Sequence, residues 1–239
     1  MSVNHLYGTM MTDCRYSNLP SPMPEQDLDP CPYIDHALLD PQAHPQEVER
    51  LCAEADRFGF ASVCVYPCHV QLARDYLLKS QVAVGTVIGF PSGASTSNVK
   101  LYEAMEAVEN GAMELDVVIN FGWLKSGQTN LLHQDIAQIC QESGVPVKAI
   151  LELSKLSSEE QSLAAEICMD AGVSFLKTGT GWAGGATVEM VKFLKEFSRG
   201  RVGVKASGGI KTREQAIALI NAGATRIGTS QGAAIAKSR

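Results

Sequence analysis

From Tyr33 onward, short apolar runs alternate with amphipathic stretches, and the two kinds of segment carry different periods. The runs at 33–37, 61–66, 82–88, 113–120, 147–152, 174–178, 201–206 and 225–229 are apolar and rich in β-branched residues, as expected of strands covered on both faces. Between them the spacing turns helical: Val48, Leu51, Cys52, Ala55 and Phe58 share one face before Gly59 stops the run. Ser157 with Glu160, and Thr212 with Gln215, read as capping boxes, while Gly111, Gly172 and Gly223 each close a helical stretch just ahead of a strand. Eight such strand-and-helix units in about 200 residues predict a closed (β/α)8 TIM barrel, a single α/β domain over residues 31–239. A doubly wound open sheet would use fewer strands and a glycine-rich first turn.

Residues 1–30 lack either period. Pro20, Pro22, Pro24 and Pro30 lie among Ser, Asp and Gln, which predicts a mobile leader. With 45% hydrophobic residues in 239, the remainder can bury one substantial core. The net charge of -6, with no Lys/Arg run, offers no footprint for nucleic acid or an anionic membrane, so a small-molecule partner is expected. Seven cysteines, odd in number and without a C-x-x-C pair, fit a reducing cytoplasm better than a disulfide framework. No stretch is apolar for long enough to span a membrane, and a soluble protein is expected.

Function in a barrel sits on the strand ends and the loops after them, so polar residues there carry the most information. Strand alternation puts Leu115, Val117 and Ile119 on the face toward the helices and turns Asp116 inward. Lys177 shares its face with Phe175, and Lys205 with Gly203, so both lysines point inward from adjacent strands. Lys148 lies inward with Ile150 and Glu152. A lone strand lysine is most simply solvated or salt-bridged, but several inside one barrel with few carboxylates make every positive charge expensive. One amine is then pushed toward neutrality, the state that attacks a carbonyl.

Two glycine loops supply a second signal. Ala206-Ser207-Gly208-Gly209 follows the seventh strand and Gly228-Thr229-Ser230-Gln231-Gly232 the eighth, where backbone N–H groups commonly converge on a phosphate. The expected substrate and phosphate contacts are Gly181, Ser207, Gly208, Gly209, Gly228 and Ser230, with Cys64, Asn120, Lys148 and Thr178 lining the pocket. Asn120 could serve equally as a loop cap. Cys64 reads better as a small buried hydrophobe than as a reactive thiol. Gly179-Thr180-Gly181-Trp182-Ala183-Gly184 matches a dinucleotide fingerprint, but Lys205 stands where that fold wants an acidic residue at the end of the next strand. Asp35, His36, Cys64, Cys68 and His69 fit no common zinc spacing, so no metal or other cofactor is expected, and Asp35 reads as inward polar packing.

From Ile34 to Gly232 the chain resembles the deoxyribose-phosphate aldolase family of class I aldolases. The resemblance is carried by Ile34-Asp35-His36-Ala37-Leu38-Leu39, Ser62-Val63-Cys64-Val65-Tyr66-Pro67, Val87-Ile88-Gly89-Phe90-Pro91, the run from Glu114 to Asn120, Phe175-Leu176-Lys177-Thr178, Val204-Lys205-Ala206-Ser207-Gly208-Gly209 and the run from Gly223 to Ser230. It implies reversible cleavage of 2-deoxy-D-ribose 5-phosphate to D-glyceraldehyde 3-phosphate and acetaldehyde. Lys177 matches the Schiff-base lysine, Lys205 the lysine that keeps it neutral, and Asp116 the carboxylate that relays protons. A homodimer is the family-level expectation.

The chain departs from the family where Ala37 replaces a usual Thr, Gly179 a common Ser, and Trp182 a frequent Lys or Phe. The ending Lys237-Ser238-Arg239 lacks the tyrosine that some members place over the site. These changes bear on substrate preference more than on imine chemistry. Two alternatives stay open on sequence: another imine-forming lyase or transferase acting on a phosphorylated keto sugar, and a sensor that binds a phosphate ligand without turnover.

Overall fold

The computed structural model describes residues 28–238. Most of the expected leader lies on residues 1–27, outside the described residues. At its end, the Leu28 carbonyl accepts a hydrogen bond from Arg213 at 2.9 Å, and Asp29 accepts one from the Cys31 N–H at 3.1 Å.

Eight parallel strands close into a barrel in sequence order: β1 (Ile34–Leu38), β2 (Ser62–Val65), β3 (Ala83–Ile88), β4 (Glu114–Val118), β5 (Val147–Ile150), β6 (Phe175–Lys177), β7 (Gly203–Ser207) and β8 (Arg226–Thr229). The helices α1 (Pro45–Phe58), α2 (Val70–Tyr76), α3 (Ser97–Glu109), α4 (Phe121–Lys125), α5 (Thr129–Ser143), α6 (Ser158–Asp170), α7 (Val188–Ser198), α8 (Arg213–Asn221) and α9 (Gly232–Lys237) fill the connections, with both α4 and α5 after β4. Each apolar run seen in the sequence holds one strand, with ends displaced by a residue or two. The capping boxes at Ser157 and Thr212 form as expected and start α6 and α8. Reciprocal bonds there satisfy N–H groups that a helix start leaves without partners.

Hydrophobic burial lies between barrel and helices. Leu115, Val117, Val147, Ala149, Leu176, Val204, Ala206 and Ile227 face outward from the strands and are fully or almost fully buried. Helices contribute Leu51, Ala104, Ile136, Ile139, Ala165, Val191 and Leu194 to the same layer. Removing this apolar surface from water is what holds helices to sheet. The barrel axis is different: Asp35, Glu114, Asp116, Lys148, Lys177 and Lys205 are all buried there or at its ends. Phe175 packs among them, and Gly203 on the neighbouring strand leaves the room its ring occupies, since a β-carbon at 203 would collide with it.

Register fixes which inward residues meet. Lys177 pairs with Lys205 across β6 and β7, Asp116 with Lys148 across β4 and β5, and Lys205 with Arg226 across β7 and β8. The two lysines singled out by alternation are therefore side by side on the ladder.

Candidate active site

A cavity of about 470 Å³ opens at the C-terminal ends of the strands. Its walls include Ala37, Cys64, Lys177, Thr180, Trp182, Lys205 and Lys211, together with Gly181, Ser207, Gly208, Gly209, Gly228 and Ser230. All six residues expected to contact substrate or phosphate thus share one cavity with the two lysines. The N–H groups of Gly181, Gly208, Gly209 and Ser230 make no hydrogen bond to another described residue. The Ser207 hydroxyl is buried in the same wall without a hydrogen-bond partner among the described residues.

Below the cavity floor lies a stack of charges. Asp116 accepts hydrogen bonds from Lys177 and Lys205, both at 2.7 Å and both on Oδ2, while Lys148 lies 3.1 Å from Oδ1. Lys205 also sits 2.6 Å from Asp35 Oδ2. Lys148 donates to Glu114 at 2.6 Å. Arg226 closes the base, holding Asp35 at 2.6 Å and Glu114 at 2.9 Å. Its guanidinium and the Lys148 ammonium both lie near the Phe175 ring, with centroid distances of 5.6 Å and 5.8 Å.

This arrangement corrects the view of few carboxylates inside the barrel. Three face four cations. Glu114 has the same parity as Asp116 and turns inward with it, a signal present in the alternation but overshadowed by the lysines. Arg226 shares its inward face with Gly228 in the same way.

The charges set one another's protonation. Burial alone would raise the Asp116 carboxyl, but Lys148, Lys177 and Lys205 outweigh it and hold the group well below the ordinary carboxylate range. Asp35, likewise buried, is held low by Lys205, Arg226 and Lys148. Burial would strip a proton from Lys205, yet Asp116 and Asp35 keep its proton bound well above the usual lysine range. Lys148 is raised on the same grounds by Asp116 and Glu114. The Cys64 thiol is pushed up by burial first and by Asp116 second, which suits an inert pocket residue.

Three of the residues expected to line the cavity do not. Asn120 lies beyond the end of β4, where its side-chain oxygen accepts the Trp123 N–H at 3.1 Å and caps α4. Lys148 is a layer too deep, drawn down by Glu114. Thr178 turns from the axis: its hydroxyl accepts the Ser207 N–H at 3.0 Å and donates to the Ser207 carbonyl at 3.3 Å, tying β6 to β7. Glu152 also departs from the alternation. β5 ends at Ile150, and Glu152 takes a left-handed conformation, φ 48°, that swings its carboxyl toward the loop after β6.

Two of the positions that depart from the family pattern, Ala37 and Trp182, line this cavity. Ala37 lines it without a hydroxyl. Trp182, 58% exposed, stands at the mouth, edge-on to Phe90, which is edge-on to Tyr66. Among the described residues no helix is long and apolar enough to cross a membrane, and no group of three or more His, Cys, Asp or Glu is placed to hold a metal ion.

Comparison with known proteins gives a consistent result. Residues 32–238 match the model of the DeoC/LacD family aldolases. The chain is 64% identical over 208 residues to the deoxyribose-phosphate aldolase of Microcystis aeruginosa, covering 87% of this chain and 92% of that one. It is 62% identical over 210 residues to that of Thermosynechococcus vestitus, covering 87% and 97%. Among solved structures, the aldolase named QR15 superposes with a TM-score of 0.85 at 43% identity, covering 88% of this chain and 95% of that one. The tetrameric deoxyribose phosphate aldolase of Aeropyrum pernix superposes at 0.82 and 33% identity, covering 87% and 90%. A barrel with two paired lysines over a shared carboxylate, matched along nearly its whole described length, belongs to the DeoC/LacD family of aldolases.

Proposed function

We propose that this chain is a Schiff-base aldolase that reversibly cleaves 2-deoxy-D-ribose 5-phosphate to D-glyceraldehyde 3-phosphate and acetaldehyde. The observation that carries the reading is the sharing of Asp116 Oδ2 by Lys177 and Lys205 at the floor of a cavity rimmed with unengaged backbone N–H groups. Lys177 is the lysine of the pair with only one carboxylate partner among the described residues, which makes it the nucleophile.

Lys177 as the free amine adds to the aldehyde carbon of the open-chain sugar, and loss of water leaves a protonated imine. A base removes the proton of the C3 hydroxyl, the C2–C3 bond breaks, and its electron pair moves into the imine to form an enamine. D-Glyceraldehyde 3-phosphate departs. The enamine is protonated on carbon, and water hydrolyses the resulting imine to acetaldehyde and the free lysine. Asp116, held ionised, can relay these protons through a water within the floor of the cavity. Lys205, permanently charged, disfavours a second ammonium beside it.

The phosphate is assigned to the N–H groups of Gly181, Gly208, Gly209 and Ser230, with Lys211 on the same wall as the nearby cation. Ser207 lies between lysines and glycine loop, so its unpartnered hydroxyl is available to a substrate hydroxyl. Scattered free cysteines fit a reducing compartment such as the cytoplasm.

The test is borohydride reduction in the presence of acetaldehyde, followed by peptide mass spectrometry, alongside a coupled assay of glyceraldehyde 3-phosphate release. The expected result is a two-carbon adduct on Lys177 and turnover of deoxyribose 5-phosphate. An adduct formed only with keto sugars would point to a different imine-forming enzyme, and absence of any adduct on Lys177 would sink the mechanism.

A further inference from the structure

We infer that Glu152 is a positioning residue for the phosphate side of the cavity, and that in this chain a β-carbon at Gly179 would press on the same carboxyl. The inference rests on the proposed phosphate site. Glu152 follows the end of β5, 5% exposed, in the left-handed region that non-glycine residues seldom adopt. The neighbours on either side fix it there: the Leu151 N–H donates to the Lys177 carbonyl at 3.0 Å and the Leu153 N–H to the Thr178 carbonyl at 2.9 Å. Pairing with the β6 segment therefore continues past the end of β5, and Glu152 is the residue turned out of it.

The turned carboxyl reaches the loop that carries Gly181. Its Oε2 accepts the Thr180 N–H at 3.1 Å and also the Thr180 hydroxyl. With its proton committed to Glu152, the Thr180 hydroxyl oxygen accepts the Trp182 N–H at 3.0 Å. A chain of three residues thus runs from Glu152 through Thr180 to Trp182 and spans Gly181. Gly181 has φ +87°, lines the cavity, and its N–H has no acceptor among the described residues. What holds Thr180 and Trp182 sets the direction of that N–H.

The other carboxyl oxygen of Glu152 lies against Gly179. A β-carbon at position 179 would collide with Glu152 Oε1. Glutamate is flexible, but here both Thr180 bonds pin Oε2, so relief means turning the carboxyl and giving up the clamp. A substituent at 179 and loss of Glu152 should therefore act through the same loop.

The experiment compares E152A, E152Q and G179A with the wild type, using kcat/KM for 2-deoxyribose 5-phosphate divided by that for 2-deoxyribose. A general folding defect lowers both substrates together, whereas a misdirected phosphate loop lowers only the first. The expected result is a fall in this preference of about tenfold or more in E152A and G179A, the order of one hydrogen bond to a charged group. E152Q should retain most of the preference, because an amide oxygen can accept both Thr180 donors. The double variant E152A/G179A should be no worse than E152A, as expected of residues acting through one contact. E152A or G179A with the wild-type preference would overturn the inference, and if E152A fails to fold, G179A decides alone. A wild type that shows no preference for the phosphorylated sugar would instead overturn the phosphate site itself, and the Lys177 adduct, read separately, reports on the imine.

Discussion

Replacing Lys205 by methionine tests whether the paired lysines act through charge. Both ammonium groups lie 2.7 Å from Asp116 Oδ2, so their nitrogens are at most twice that distance apart. Two unit charges at about 5 Å in a medium of effective dielectric about 20 repel by about 3 kcal/mol. Lys205 keeps its charge throughout the accessible range because Asp116 and Asp35 overcome its burial. The methionine removes the repulsion while keeping most of the side-chain volume. It also leaves Asp116 with one cation fewer, which strengthens the pull on the Lys177 proton, so the two effects have the same sign.

The expected consequence is a displacement of the acid limb of kcat/KM toward higher pH by roughly two units, since one unit corresponds to about 1.4 kcal/mol. At neutral pH that is about a hundredfold loss, recovered progressively as the pH is raised. The coupled glyceraldehyde 3-phosphate assay from pH 6 to 10 reads this directly, and Lys205→Arg, which keeps the charge, should leave the limb near its wild-type position. Asp35 retains Arg226 at 2.6 Å in the methionine variant, so the fold should survive with reduced thermal stability. A limb that stays in place while activity drops equally at every pH would refute the charge argument and leave Lys205 a structural role.

Acid stability follows from the same stack. Asp35 and Asp116 have folded-state pKa values below their unfolded values near 3.9, so their stabilisation is complete above that value and is lost as pH falls through the folded ones. The urea midpoint should therefore be flat near neutrality and drop below about pH 4, and Asp35→Asn should make that drop shallower; an unchanged slope would argue against the pairing. Gly228→Ala introduces no backbone strain, but its β-carbon would collide with Ser207 Oγ and lie 3.0 Å from Lys205 Cε. It should raise KM for the phosphorylated sugar and weaken inhibition by inorganic phosphate, and wild-type inhibition would count against a phosphate site at this wall.

The barrel was legible because eight apolar runs, helical faces and caps repeat the same message along the chain. Lys177, Lys205 and Asp116 were legible because strand alternation alone turns them inward. Closure supplied what alternation lacks: β4 and β6 are separated by β5, and only the curved sheet brings Asp116 to Lys177. Glu152 escaped the pattern because β5 stops two residues before it and a left-handed turn cancels the parity. Asn120 was misplaced for a related reason, since β4 ends at Val118 and capping α4 takes its side chain. The contact at Gly179 could not be read from the sequence, as the atom a β-carbon there would press on belongs to a residue 27 positions earlier.

Within the stack, Lys177 is the cation held by the fewest carboxylates. Arg226 is held by Asp35 and Glu114, Lys148 by Glu114, Asp116 and more distantly Asp35, and Lys205 by Asp35 and Asp116. Lys177 has Asp116 alone among the described residues, and shares the very oxygen it uses with Lys205. Four cations face three carboxylates, and Lys177 is the cation with the fewest carboxylate partners. That group faces the cavity, where a carbonyl can reach it. Glu114 and Arg226, though far from the substrate, then belong to the design: Glu114 is taken up by Lys148 and Arg226, Arg226 also holds Asp35, and the deficit of carboxylates is left at the top.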